Sequence, residues 1–204
     1  MDVVQTVALG AGMAWASGLR LYAVLFAAGM LSRFGYLDLP ASLEILQHPL
    51  VLAASGIMLT VEFFADKIPV VDSLWDSIHT FIRIPAGAAL AAMALGDHDP
   101  AVMLAAGILG GTLSAGTHMT KAGGRALINT SPEPFSNVAA SLGEDALVAA
   151  GLYSAIVYPV LFLILLFVFI VLVAWLLPKI WRGVRLVLAR ITGDASRHRV
   201  TETS

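Results

Sequence analysis

The chain has 204 residues, of which 58% are hydrophobic and only 13% charged, with a formal net charge of −2 and no cysteine. A soluble domain is about one-quarter charged, so this much apolar surface is hidden only by lipid, and a water-soluble globular protein is excluded. Disulfides, thiolate chemistry and sulfur-ligated metals are excluded with the cysteines, and no stretch has the alternating pattern of a membrane β-barrel. The expected fold class is all-α: a polytopic transmembrane helical bundle.

The N-terminal residues Met1-Asp2-Val3-Val4-Gln5 carry no base. They lack the basic n-region of a cleaved signal peptide, so the first apolar region, Val3–Phe34, is expected to stay in the mature protein. It is too long for one straight span, because ~20 residues cross the hydrocarbon core. Ser17-Gly18-Leu19-Arg20 interrupts it. Two half-length helices are expected, as a re-entrant hairpin or a discontinuous helix. Such breaks survive at membrane depth only where they line protein or a cavity.

Residues 35–48 read as a loop. The second apolar region, 50–65, ends at Asp66-Lys67-Ile68-Pro69, because Pro69 cannot continue a helix. Regions 75–95 and 101–118 follow, separated by the turn Gly96-Asp97-His98-Asp99-Pro100. Residues 119–137 form the longest polar interval before the tail. Its Pro132-Glu-Pro134-Phe-Ser136-Asn137 turn is expected to precede a helix capped by Ser136 or Asn137. Region 138–177 is too long for one crossing; Gly143-Glu144-Asp145, Gly151 and Tyr158-Pro159 are candidate breaks.

The transmembrane domain is thus expected to occupy 1–178, with a basic amphipathic tail at 179–204. That tail holds Lys179, Arg182, Arg185, Arg190, Arg197 and Arg199, half of the 12 basic residues. A basic flank after the last span is read as cytoplasmic, and the stretch Ile180–Ile191 as lying on the membrane surface. A faint self-similarity joins Ala14-Trp15-Ala16-Ser17-Gly18 to Thr112-Leu113-Ser114-Ala115-Gly116. Secondary transporters are often built from inverted repeats with broken helices meeting at mid-membrane, and an inverted repeat is one reading of this similarity.

Charge in hydrocarbon costs at least ~2.5–3.5 kcal/mol per residue, which makes the segment Glu62–Arg83 the most informative. It holds Glu62, Asp66, Asp72, Asp76, His79, Lys67 and Arg83. Glu62 and Asp66, four apart, share a helix face. Asp72, Asp76, His79 and Arg83 follow at spacings of four, three and four, on one stripe of the next helix. A turn at Pro69 would bring the two stripes together. Four carboxylates and an imidazole suit a hard divalent cation, or Mn²⁺, Fe²⁺ or Zn²⁺, with Glu62, Asp66, Asp72, Asp76 and His79 as the candidate metal ligands. They equally suit a proton relay. Against these stand helix capping by Asp72 and Asp76 (Ser73-x-x-Asp76 is a capping-box pattern) and plain ion pairing.

Glu144 and Asp145 form a second acidic pair. Adjacent helical positions diverge, so the two are not expected to face one point. Arg20, inside the first apolar region, needs an anionic partner; Glu62, Asp66, Glu144 and Asp145 are candidates, with a substrate anion as the alternative. His118, Lys121, Arg125 and Asn129 follow at spacings of three, four and four, either as an anion-binding stripe or as ordinary positive-inside residues. Arg20, Lys67, Arg83, His118, Lys121 and Arg125 are the charge-balancing or anion-binding candidates.

Ser17-Gly18-Leu19-Arg20, the string Glu62-x-x-Ala65-Asp66-Lys67-Ile68-Pro69-x-Val71-Asp72-x-x-x-Asp76-x-x-His79, and Pro85-Ala-Gly87-Ala resemble the domain-of-unknown-function family DUF4126, bacterial integral membrane proteins. Pro134-x-Ser136 with Glu144-Asp145 is similar to that family's other polar signature. The resemblance covers about residues 5–160 and leaves out the basic tail. It implies a multi-pass protein of the bacterial inner membrane and no particular activity.

The favoured function is a transporter or channel-like protein for a cation or a proton-coupled small solute. In it Glu62, Asp66, Asp72, Asp76, His79, Glu144 and Asp145 bind or titrate. An intramembrane metal-dependent enzyme acting on a lipid phosphate and a non-catalytic scaffold are the alternatives. Neither Gly-x-Ser-x-Gly nor His-Glu-x-x-His occurs, which counts against an enzyme. Expected partners are membrane lipid and a small ion or solute, with a homo-oligomer left open. No stretch interleaves bases with aromatics for nucleic acid.

Overall fold

Prolines set the helix starts. A proline at the first helical position has its φ preset and lacks an N–H that would be unpaired there anyway. Every helix after the first begins on one: α2 Pro49–Ala65, α3 Pro69–Ala94, α4 Pro100–Ile128, α5 Pro134–Val157 and α6 Pro159–Thr201. The first, α1 (Val3–Arg33), starts instead with a capping box between Asp2 and Gln5, which satisfies two otherwise unpaired backbone donors. A 3-10 helix, Ala41–Gln47, occupies half of the expected loop before α2. The computed structural model describes residues 2–128 and 134–201, and no strand occurs among them.

Five helices are long and apolar enough to cross a membrane: α1, α4, and the segments Val71–Ala94, Phe135–Val157 and Pro159–Leu176 of α3, α5 and α6. The 3-10 helix and α2 meet at 66° and together form a sixth, broken candidate. The chain is therefore an all-α, multi-pass membrane protein. Its outward faces fit lipid: Phe81 is 83% exposed and Phe167 68% exposed, a display that water would not tolerate on this scale.

Several boundaries move. The third helix begins at Pro69 rather than 75, because the proline that ends α2 also nucleates α3. The fourth runs to Ile128 rather than 118, since Lys121 and Arg125 face inward and need no exit to water. Most of the expected polar interval 119–137 is therefore helix. Because α5 starts at Pro134, Ser136 and Asn137 stand inside its first turn rather than at the position before it; Asn129 and Pro132 lie outside the described residues. Region 138–177 divides at Tyr158, the single non-helical residue between α5 and α6. The helix of α6 passes through position 179 without a break. Residues 180–191 continue α6 in the same helix, and the side chains of Arg190, Arg197 and Arg199 lie outside what is described.

The central element is α1, which touches every other helix. From Ala8 to Leu21 every residue but Ala11 is buried, as expected of a helix that is apolar all round. Small residues let backbones approach. A Cβ on Gly18 would stand 2.5 Å from the Ser114 carbonyl oxygen, and one on Gly87 would stand 2.8 Å from Ser17 Oγ. These contacts lock α1, α3 and α4 together. On the other side of α1, Trp15 packs edge-on against Phe162 and Phe169 of α6, with centroids 6.2 and 5.9 Å away.

At Arg20 the helix of α1 is interrupted: φ is −143° and ψ 77°. Arg20 alone leaves helical φ/ψ, and the chain runs on as one candidate span from Val3 to Arg33. Of the two forms expected for the first region, α1 takes the discontinuous helix and not the re-entrant hairpin.

Candidate functional site

The turn at residues 66–68 does what the proline predicts: it folds the start of α3 back beside the end of α2. Glu62 and Asp66 thereby meet Asp72, Asp76, His79 and Arg83, all of them buried. The break in α1 supplies Arg20, α4 supplies His118, Lys121 and Arg125, and α5 supplies Asn137, Ser141, Glu144 and Asp145.

Ion pairs join these groups into one network. Arg20 Nη1 lies 2.5 Å from Asp66 Oδ2 and Arg20 Nε 2.9 Å from Asp145 Oδ1, with Glu144 Oε2 3.9 Å away. Lys121 Nζ lies 2.9 Å from Asp66 Oδ2, 3.4 Å from Asp76 Oδ1 and 3.6 Å from Glu144 Oε2. Arg83 joins Glu62 Oε1 at 2.6 Å to Asp76 Oδ1 at 2.8 Å. Arg125 grips Glu144 with two nitrogens, at 2.8 and 3.0 Å, and its Nη1 stands 4.0 Å from Asp72 Oδ2. The same Nη1 donates to the Asn137 carbonyl at 3.0 Å and to Asn137 Oδ1.

The partners of His118 fix its state. An arginine only donates, so His118 Nδ1 accepts from Arg83 at 3.1 Å, and His118 Nε2 donates to Thr80 Oγ1 at 2.7 Å, the pattern of neutral imidazole. Thr80 passes its own hydrogen to the Asp76 carbonyl at 2.9 Å. His79 Nδ1 donates to the Trp75 carbonyl at 2.8 Å, and its Nε2 shares a hydrogen bond with the Tyr22 hydroxyl at 3.1 Å.

Charge in the network does not balance. Six carboxylates (Glu62, Asp66, Asp72, Asp76, Glu144, Asp145) face four cations that pair with them (Arg20, Arg83, Lys121, Arg125) and, through space, Lys67, so acids outnumber bases by one. Asp66 sits in the turn outside the spans. Burial opposes its charge, but Lys121 and Arg20 outweigh burial and hold its carboxyl below the ordinary carboxylate range.

Among the described residues, the group with metal-ligand spacing is Asp66, Asp72 and Asp76, whose nearest carboxylate oxygens all lie within 4.8 Å of one another. Glu62 and His79 stand outside it: Glu62 is held by Arg83, and His79 Nε2 is hydrogen-bonded with Tyr22. Among the described residues Lys67 forms no direct ion pair: it donates to the Phe63 carbonyl at 3.0 Å over the Phe63 ring and reaches Asp145 and Asp66 through space alone. Glu144 and Asp145 reach one point after all, because the broad guanidinium of Arg20 spans the angle between them. Lys121 and Arg125 are buried rather than lying at a wet interface.

Sequence reasoning passed over Tyr22, Thr80 and Ser141, and read Asn137 only as a cap. Ser141 accepts from Arg20 Nη2 at 2.9 Å. The signal for the α5 pair was spacing: Asn137, Ser141 and Glu144 follow at four and three, one face of a helix, once the helix is known to start at Pro134.

The family model described as Domain of unknown function (DUF4126) matches residues 7–179, and the chain belongs to that family. No curated protein and no solved structure matches the chain.

Proposed function

We propose that this member of the DUF4126 family is a transporter that carries a small cation, or a solute coupled to protons, through the buried ion network. The observation that supports it is a buried ion network in which acids outnumber bases, set among helices that face lipid. Uncompensated charge at membrane depth is costly and marks ion pathways and proton relays. A network serving only to fix helix register has no need of an excess, which weighs against the scaffold reading. The excess is also of the wrong sign for phosphate: all four cations of the network already face carboxylates, which weighs against an enzyme acting on a lipid phosphate.

The similarity between residues 14–18 and 112–116 fits an inverted repeat. The two segments cross at the Ser17 Oγ to Ser114 Oγ contact of 3.3 Å. The host is the bacterial inner membrane, with the C-terminus in the cytoplasm, because Lys179, Arg182 and Arg185 follow the last span and basic flanks stay inside. Two crossings, α5 and α6, then put the start of α5 on that same side.

Flux into liposomes carrying purified protein tests the reading. Glu62→Gln and Glu144→Gln each remove one charge and keep the side-chain shape. Both variants are expected to fold and to lose flux; normal flux in both would refute the proposal.

A further inference from the structure

Among the described residues, Asp72 is the carboxylate with both oxygens buried and without a hydrogen-bond partner. It is 0% exposed, and Arg125 comes no nearer than 4.0 Å. Burying a carboxylate in this way is costly unless something pairs with it. Its two neighbours are each half-satisfied. Asp66 gives Oδ2 to Arg20 and Lys121, and Asp76 gives Oδ1 to Arg83 and Lys121, while Asp66 Oδ1 and Asp76 Oδ2 have no hydrogen-bond partner.

One oxygen from each of the three lies within 4.8 Å of the others. Hard divalent cations hold oxygens at roughly 2.0–2.6 Å, so their ligand atoms stand up to about 5 Å apart. A cavity of 210 Å³ reaches Asp72 and Asp76 past Ser73, Ser77, Thr80 and Arg125, a polar approach between α3 and α4.

We propose that Asp66, Asp72 and Asp76 bind a hard divalent cation of the Mg²⁺, Mn²⁺ or Ca²⁺ class, and that Lys121 is the tethered counter-ion that yields to it. This rests on the cation-transport reading and names its ion. Three features support the class. A cation offsets the excess of acid over base. The donors are all carboxylate oxygens, with the ring nitrogens of both neighbouring imidazoles hydrogen-bonded elsewhere, which disfavours the nitrogen- and sulfur-seeking metals. Lys121 already touches two of the three ligands, and Glu144 Oε2 at 3.6 Å and the Leu19 carbonyl at 3.4 Å offer its ammonium a place when a metal takes them.

Mn²⁺ is the probe, because its free form is counted by paramagnetic resonance. Full-length protein in detergent is expected to take up one Mn²⁺ per chain, released by excess Mg²⁺ or Ca²⁺. Asp72→Asn is expected to weaken uptake by at least ~10–100-fold, the loss that even outer-shell changes produce at metal sites. Asp76→Asn carries the same expectation should Asp72→Asn fail to fold, and Lys121→Met is expected to tighten binding. Absence of Mn²⁺ uptake by folded wild-type protein in the millimolar range would overturn the proposal, as would unchanged uptake in the aspartate variants. Mn²⁺ uptake without flux of any ion in liposomes would uphold the site and refute transport. Proton or monovalent-cation flux without divalent binding would do the reverse.

Discussion

Removing Arg83 tests the network as a physical object. The side chain is fully buried and holds Glu62 at 2.6 Å and Asp76 at 2.8 Å. At an effective dielectric of about 20, each contact is worth roughly 6 kcal/mol of Coulomb energy, much of it offset by drying both groups. Loss of one member of a buried pair leaves the other unpaired and costs about 3–5 kcal/mol. Glu62 would be the group left, because its Oε1 is held by Arg83 and its Oε2 has no hydrogen-bond partner. Arg83→Met is therefore expected to cost about that much. At about 2–4 °C per kcal/mol for a chain of this size, its Tm falls by roughly 6–20 °C. Glu62→Gln keeps an oxygen for Arg83 and leaves Asp76 as its counter-charge, so it costs less, about 1–3 kcal/mol. Combining the two removes both charges, and the double variant is expected to be more stable than Arg83→Met alone. The assay is a double-mutant cycle by thermal unfolding in detergent, followed by tryptophan fluorescence. Additive losses, or an Arg83→Met variant within about 1 kcal/mol of wild type, would refute the claim that these charges are buried and coupled.

Packing gives a contrast of sign between two glycines. Gly87→Val places a side chain against Ser114 and Ser17 and is expected to cost at least ~1–3 kcal/mol as overpacking, whereas Gly116→Ala meets nothing within 4 Å and is expected to gain up to ~1 kcal/mol of helix stability; equal effects in unfolding assays would count against the close approach of α1, α3 and α4. Topology is open to single-cysteine labelling because the native chain has no thiol: Asp97→Cys is expected to react with an impermeant maleimide in intact cells, and Arg182→Cys only after permeabilisation. The opposite pattern would invert the proposed orientation.

What the sequence revealed, and what it hid, follows from the kind of signal each feature leaves. The break near Ser17-Gly18-Leu19-Arg20 was legible because glycine and an intramembrane arginine both mark it. The stripe Asp72, Asp76, His79 and Arg83 was legible because helical periodicity fixes which residues share a face. Lys121 and Arg125 were not, since a base near the end of an apolar run looks the same whether it reaches water or turns inward. Their direction is set by the acids of other helices, and such pairing across the bundle leaves no local trace. The separation of Asp66, Asp72 and Asp76 from Glu62 and His79 was hidden for a similar reason. It depends on Tyr22 and Arg83 engaging the other two, and one of those partners sits on α1.

The interruption of α1 at Arg20 also alters electrostatics that no titration can touch. An unbroken helix carries its partial charges, roughly half an elementary charge each, only at its two ends. A helix parted in the middle acquires a second pair of poles there: carbonyls of the first half with negative character, and amides of the second half with positive character. The Leu19 carbonyl, at the end of the first half, is the backbone oxygen that accepts from Lys121 Nζ at 3.4 Å. The backbone thus provides a fixed negative pole beside the Lys121 ammonium, and it keeps that pole at every pH and ionic occupancy the side chains pass through.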